Sequence, residues 1–103
     1  MNASNEASRP DSEIELQPQE IRLDDPTSRF RFNTMEKQLV ATPGVIEAFG
    51  AKTIEDCIEL LQRRAVAHNG LDYLQVFTVG QAKTKLWVIE DSQTITALLP
   101  NEY

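Results

Sequence analysis

The chain has 103 residues, of which 41% are hydrophobic and 25% are charged, and its net charge is −6. This length predicts a single domain, and this composition is typical of an ordinary globular protein. An acidic chain repels phosphate backbones, which argues against general nucleic-acid binding. The acidity also suits a basic partner or mimicry of nucleic acid, although solubility is the simpler explanation.

The cysteine count and the hydropathy pattern bear on the compartment. Cys57 is the only cysteine, so we expect no disulfide within the chain. No apolar run approaches the roughly 18 residues of a membrane helix. The first residues also lack the basic start and apolar centre of a signal peptide. These features predict a cytoplasmic protein that does not enter a membrane.

Residues 1–28 have the composition of a disordered acidic arm. Residues 1–29 hold seven Asp and Glu against three Arg, and the first twelve offer little apolar surface to bury. Such a segment does not offset the entropy of ordering it. Two alternating apolar pairs would permit an edge strand, but Pro18 separates them, so we favour a loosely attached arm over a strand or a segment that orders on a partner. The two pairs are Ile14 with Leu16, and Ile21 with Leu23.

The turn residues Asp24–Ser28 separate this arm from a folded part, residues 29–103. We predict that this part is a small α+β domain, with two helices packed on a small, mainly antiparallel sheet. Phe30–Phe32 alternates as a strand does, and Gln38–Ala41 continues an extended segment. A domain of about 75 residues buries only a small core, and dimerisation is one way in which it buries more apolar surface.

Two helices are predicted between these segments and the C-terminal strands. Thr42 as N-cap, followed by Pro, predicts a short helix over Val45–Phe49 that stops at Gly50. The second helix is expected to begin with Thr53 as its N-cap and with acids in its first turn. Asn69 and the glycine after it mark its end. Helical spacing predicts one apolar face on this helix, formed by Ile54, Cys57, Ile58, Leu61 and Ala65.

Three short segments in the C-terminal third are rich in β-branched and aromatic residues. Polar turns separate them, which predicts an antiparallel meander around which the rest of the domain is organised. The predicted strands are Tyr73–Val79, Thr84–Ile89 and Thr94–Leu99, and Glu90–Gln93 forms the last turn.

The middle strand carries large apolar side chains on both faces. Leu86 and Val88 point to one face. Trp87 and Ile89 point to the other, which is typical of a strand that is buried on both sides. The helices cover one face, so the other needs the Phe30–Ala41 segment, the arm or a second copy of the protein. Trp87 is therefore either a core residue or an exposed aromatic side chain that anchors a partner.

No arrangement of residues in the sequence is typical of a catalytic or metal site. His68 and Cys57, the only histidine and cysteine, lie about three turns apart on one helix and do not meet there. We interpret Cys57 as a core residue and His68 as a helix-end residue. The acids lack calcium-loop spacing, and the glycines are too scattered for a phosphate loop. We therefore predict no enzyme, no cofactor and no metal; the enzymatic alternative is an unrecognised carboxylate site.

Arg63, Arg64 and His68, with Lys52, form a basic cluster on the second helix. One interpretation is contact with an acidic partner or a phosphate. The other is a solvated helix C-terminus, whose negative end favours basic side chains. The candidate partner-binding residues are accordingly Trp87, Arg63, Arg64 and His68.

Two stretches resemble a group of short bacterial plasmid- and mobile-element-related proteins. Gln38–Phe49 is similar to an LVATPGAL-like segment of that group. Lys85–Ile89 together with Thr94–Tyr103 is similar to its LWII…LLPEEY-like ending. Where the group carries a Gly-Asp-Trp-Gly segment, this chain has Ala67–Asp72. The resemblance implies a mobile-element accessory protein, and it implies no catalytic residue.

Taken together, these observations predict a non-enzymatic protein-interaction module from a mobile element or phage. We expect its partner to be another protein, and a homodimer through the sheet is a further expectation. Action on host defence is a hypothesis that rests on the resemblance and the acidity. The alternative is a DNA-associated regulator that uses Arg63, Arg64 and Lys52.

Overall fold

The computed structural model describes residues 14–17 and 30–103, and these residues form two helices and a five-stranded, mostly antiparallel sheet. The predicted α+β fold class is therefore confirmed. The strands are β1 (Ile14–Leu16), β2 (Gln38–Ala41), β3 (Leu74–Val79), β4 (Leu86–Glu90) and β5 (Thr94–Leu98). The helices are α1 (Pro43–Phe49) and α2 (Ala51–His68), and a short 3₁₀ helix covers Pro100–Glu102.

The strand order is β1-β3-β4-β5-β2, and β4 lies at the centre of the sheet. β3, β4 and β5 form the predicted antiparallel meander. β2 runs parallel to β5, so the extended conformation predicted for Gln38–Ala41 is confirmed. β4 has a strand on each edge, and it carries apolar side chains on both faces, with Leu86 and Val88 buried and Trp87 and Ile89 half-buried.

β1 comes from the segment that we predicted as a loosely attached arm. It pairs antiparallel with β3, with Ile14 opposite Val79 and Leu16 opposite Phe77. Ile14 is buried in the core. The alternation of Ile14 and Leu16 therefore determines the structure here, although the surrounding segment is polar and acidic. The rest of that arm, residues 1–13 and 18–28, lies outside the described residues.

The strand predicted over Phe30–Phe32 is wrong. Phe30 makes one isolated bridge, in which its N–H donates to the carbonyl oxygen of Leu71 at 2.8 Å and its own oxygen accepts the Leu71 N–H at 2.8 Å. Phe32 has a φ of 53°, which breaks any extended run. Its ring is fully buried among the core side chains. Burial of the Phe32 ring in the core, rather than strand pairing, therefore determines the backbone conformation of this segment.

α1 begins as predicted, with the Thr42 side-chain oxygen accepting the Val45 N–H at 3.2 Å and Pro43 in the first turn. The helix starts at Pro43, two residues earlier than predicted, because proline already has a helical φ. Gly50, with a φ of 85°, ends it as predicted.

The predicted N-cap of the second helix, Thr53, is wrong. α2 begins at Ala51, directly after Gly50, and has no side-chain cap. The Gly50 N–H donates to the Ile46 carbonyl at 2.8 Å, and the Gly50 carbonyl accepts the Ile54 N–H at 3.3 Å. One glycine therefore ends α1 and starts α2, and the first turn of α2 contains no acid.

The core lies between the helices and one face of the sheet. The buried face of α2 is the predicted one, and Asn69 ends the helix in a left-handed conformation. Val45 of α1 joins the same core. The sheet contributes Phe77, Leu86, Val88, Ile95 and Ala97. Both helices thus lie on one side of the sheet.

Candidate functional site

The opposite side of the sheet, which we call the open face, carries the candidate residue Trp87. Residues that are directly opposite each other on neighbouring strands share a face. Trp87 lies opposite Val76 on β3 and opposite Leu98 on β5. The apolar side chains of the open face are Val40, Leu74, Val76, Trp87, Ile89 and Leu98.

Neither α1 nor α2 lies on the open face, because both pack in the core on the other side of the sheet. Trp87 and Ile89 are half-buried, and Val40 is 39% exposed. The Phe30–Ala41 segment, which we expected as one cover for this face, does not cover it. Phe32 packs on the helix side and Gln38–Ala41 is a strand of the sheet itself.

Trp87 contacts the last residue of the chain. The rings of Trp87 and Tyr103 meet edge to face, with centroids 5.8 Å apart and an angle of 62° between their planes. Tyr103 itself is 77% exposed. Trp87 is thus outside the core cluster and only partly covered, and its role as a partner anchor stays a prediction.

The C-terminal residues 99–103, which we call the C-terminal clip, are held by Glu102. Its Oε1 accepts the Thr42 hydroxyl at 2.5 Å and the Leu99 N–H at 2.8 Å. The Thr42 hydroxyl, followed by the Leu99 N–H, holds the pKa of Glu102 below its usual 4.5. The same carboxylate lies so close to Gly44 that a Cβ there would collide with it. The start of α1 and the end of the chain therefore fit together.

This contact joins the two stretches that resemble the mobile-element group. Thr42 and Gly44 belong to the first stretch, and Glu102 belongs to the second. Sequence reasoning missed Glu102, because nothing local to the C-terminus indicates its partner 60 residues earlier.

The basic candidates lie apart from Trp87. Arg63, Arg64 and His68 are exposed on α2, on the other side of the sheet. Lys52 is eleven residues before Arg63, or about 16 Å along the helix. It is already paired with Asp56 at 2.9 Å, and this hydrogen bond is the main cause that raises its pKa. The four basic residues do not form one compact patch, and the DNA-associated alternative stays a prediction.

Cys57 and His68 also remain apart. Cys57 is fully buried, and burial raises the pKa of its thiol to about 12. His68 is exposed at the end of α2. In residues 14–17 and 30–103, no group of three or more His, Cys, Asp or Glu is placed to hold a metal ion.

Glu90 is a second residue that sequence reasoning misplaced. We predicted it in the β4–β5 turn, whereas it ends β4 and is 6% exposed. Its Oε1 accepts the Phe32 N–H at 2.7 Å, and its Oε2 pairs with Lys37 Nζ at 2.8 Å. The sequence did indicate this placement. Glu90 is two residues after Val88 and four after Leu86, so a strand points all three side chains to the same, buried face.

A groove runs between β2 and α2 and was not foreseen. Its volume is about 260 Å³. Its lining residues are Thr34, Leu39, Glu55, Ile58, Glu59 and Gln62. Helical spacing places Glu55, Glu59 and Gln62 in one stripe of α2, but only the fold brings that stripe beside β2.

None of the helices in the described part of the chain is both long and apolar enough to cross a membrane. No protein-family model matches the chain, and no curated protein and no solved structure is significantly similar to it.

Proposed function

We propose that this chain is a non-enzymatic protein-interaction module that binds its partner through the open face. The supporting observation is the apolar centre of that face, where Trp87 and Ile89 lie side by side on the central strand and stay partly exposed. Contiguous apolar surface marks interaction sites, and Trp is enriched among the residues that dominate binding energy.

The chemistry of the face indicates the kind of partner. β2 to β5 present no ionisable side chain on this side, although the chain as a whole carries a net charge of −6. Among the described strands, only β1 at the sheet edge adds an acid to this face, Glu15, which lies opposite Thr78. The polar side chains of β2 to β5 there are Gln38, Thr78, Thr94 and Thr96. The partner is therefore a protein with a flat, apolar and uncharged surface. A second copy of this chain meets that condition where the contact centres on β4 and β5, because that part of the face carries no charge and two such surfaces do not repel each other.

Self-association gives a direct test with the purified full chain. Sedimentation equilibrium compares the natural chain with Trp87→Lys, which places a charge at the centre of the open face. We expect concentration-dependent association that Trp87→Lys weakens at least tenfold, because a buried unpaired charge is costly. Val66→Lys is the matched control, since Val66 is 78% exposed on α2, on the other side of the sheet.

Two results would contradict the proposal. One is a chain that stays strictly monomeric at about 1 mM. The other is association that Trp87→Lys and Val66→Lys weaken equally, which would place the contact elsewhere.

The resemblance supports a finer proposal, that the module is a cytoplasmic accessory protein of a plasmid, another mobile element or a phage. The two stretches that carry it contact each other through Thr42 and Glu102, which is a physical reason for both to occur in one chain. Action on host defence is proposed on the same basis. Bacteria that express the natural chain or Trp87→Lys are compared for phage plating efficiency; equal plating would contradict this role.

A further inference from the structure

We propose that the groove between β2 and α2 binds a basic, extended segment of a partner protein, which pairs with β2 as an additional strand. This surface is separate from the open face, and the inference does not depend on it. Three features carry the proposal: an edge strand with outward-facing backbone groups, an apolar groove floor, and a stripe of acidic side chains beside it.

β2 is the last strand in the sheet order, and no described strand pairs with its outer edge. The Thr42 N–H donates to the Ala97 carbonyl at 3.1 Å, on the β5 side. Backbone groups of alternate residues in a strand point to opposite edges. Leu39 and Ala41 therefore direct their N–H and carbonyl groups outward. An extended peptide satisfies such groups by adding a strand.

The groove receives the side chains of such a strand. Leu39 and Ile58 form its apolar floor, and Leu39 lies on the helix side of β2, opposite Ile95. Gln62 closes one end, because its Nε2 donates to the Phe32 carbonyl at 2.9 Å and to the Thr34 hydroxyl at 3.3 Å. A small or branched apolar side chain fits over this floor.

The wall of the groove selects the charge of the segment. Glu55 and Glu59 are exposed and line it, and the described residues offer their carboxylates no hydrogen bond or salt bridge. Both attract Lys52 electrostatically, although Lys52 is engaged with Asp56. Their field therefore favours a cation on the incoming strand.

The spacings of helix and strand agree. Glu55 and Glu59 are about 6 Å apart on one helix face. Every second residue of an extended strand points to the same side, at intervals of about 6.6 Å. When an apolar side chain of the bound segment lies over Leu39, the side chain two residues further along that segment points to the same side. It therefore lies beside Glu55 and Glu59. The recognised pattern is apolar, any residue, then Lys or Arg.

The experiment uses the full chain and a fluorescein-labelled eight-residue peptide, with Thr at odd positions and Val and Lys alternating at even positions. Anisotropy measures its binding to the natural chain and to Glu59→Gln, Glu55→Gln/Glu59→Gln and Glu47→Gln. Glu47 is an exposed acid on α1 and is the matched charge control. The same peptide with Glu in place of Lys is the control ligand. Amide hydrogen exchange by NMR then reports where the peptide lies.

We expect Glu59→Gln to weaken binding about threefold and the double variant about tenfold, with Glu47→Gln unchanged. The amides of Leu39 and Ala41 should gain protection on binding. Three results would overturn the proposal: no binding at about 1 mM peptide, equal weakening by Glu47→Gln, or protection confined to β1 or the open face. All these glutamates are exposed, so the variants retain the fold.

Discussion

The Glu90 carboxylate accepts the Phe32 backbone N–H at 2.7 Å, across 58 positions of the chain. The Phe32 carbonyl in turn accepts Gln62 Nε2 at 2.9 Å. These two bonds hold a fully buried aromatic residue at a φ of 53°, a conformation that costs a non-glycine residue about 1–3 kcal/mol. Lys37 pairs with the other Glu90 oxygen and lies 5.7 Å from the centroid of the Phe30 ring. Through its bonds to Phe32 and Lys37, Glu90 therefore holds the segment that precedes β2 against the sheet.

Removal of the Glu90 carboxylate should destabilise the fold. Glu90→Ala leaves the buried Phe32 N–H without its acceptor and removes the carboxylate that pairs with Lys37, which keeps its bond to the Asp91 carbonyl at 2.6 Å. We therefore expect a loss of about 2–3 kcal/mol in the free energy of unfolding. Glu90→Gln keeps an acceptor and should cost about half as much. Urea unfolding measures both. Glu36→Ala, at an exposed position of the same segment, should change stability by less than about 0.5 kcal/mol; equal losses would contradict this role of Glu90.

The Cys57 thiol should be unreactive in the folded protein. Burial raises its pKa from the usual 9.0 to about 12, so almost no thiolate exists near pH 8, and the sulfur lies inside the core. We expect a disulfide reagent to label Cys57 only as the chain unfolds, and to label it rapidly in urea. Rapid labelling of the native chain would show that α2 does not bury this face.

The C-terminal clip should open in acid. The pKa of Glu102 is lower in the folded chain than its usual 4.5, because the Thr42 hydroxyl and the Leu99 N–H stabilise the carboxylate. The clip is therefore fully stabilised above about pH 4.5 and loses that stabilisation as the pH falls through the lower, folded value. Trp87 fluorescence should change over the same pH range, because Tyr103, which contacts the Trp87 ring, is the residue next to Glu102. Glu102→Gln should abolish this acid transition; an unchanged transition in that variant would assign it to another group.

Gly44→Ala should release the clip without unfolding α1. The added Cβ collides with the Glu102 carboxylate, which is the mobile end of a long side chain, so that side chain moves away. Alanine favours the helix over glycine by about 1 kcal/mol, which offsets part of the loss. We expect little change in the midpoint of urea unfolding but a change in Trp87 fluorescence at neutral pH. Ala48→Gly, further along α1, is the reverse control: it should lower stability and leave Trp87 fluorescence unchanged.

The buried face of α2 is tested by one pair of variants. Leu61 is fully buried, so Leu61→Ala should cost about 2–5 kcal/mol through lost burial and the cavity left behind. Val66 is 78% exposed on the same helix, and Val66→Ala should stay within about 0.5 kcal/mol. Equal losses in chemical denaturation would contradict the orientation of α2.

Much of the fold was predictable because its signals are local. The apolar spacing of Ile54–Ala65 determined the buried face of α2, and alternation in the last third determined the meander. Thr42 and Gly50 marked the limits of α1 through backbone and capping chemistry. Thr53 failed as a cap because Gly50 already starts the next helix.

The candidate sites were predictable only in part. The two-sided pattern of β4 determined from sequence that Trp87 and Ile89 form a second apolar surface. It did not determine that Tyr103 would partly cover Trp87, or that β2 would be an edge strand beside Glu55 and Glu59. Strand order depends on which segments meet, and periodicity within one segment carries no information about its neighbours.

Sequence alone thus determined the helices, the meander and the faces that they present, because hydrophobic periodicity and capping act over a few residues. The tertiary structure decided the pairing of Ile14–Leu16 with β3, the conformation of Phe32 and the partners of Glu90 and Glu102. Those contacts join residues up to 65 positions apart, as Ile14 and Val79 are. They form only when the assembled core brings both ends together, which repays the entropy of closing such long loops.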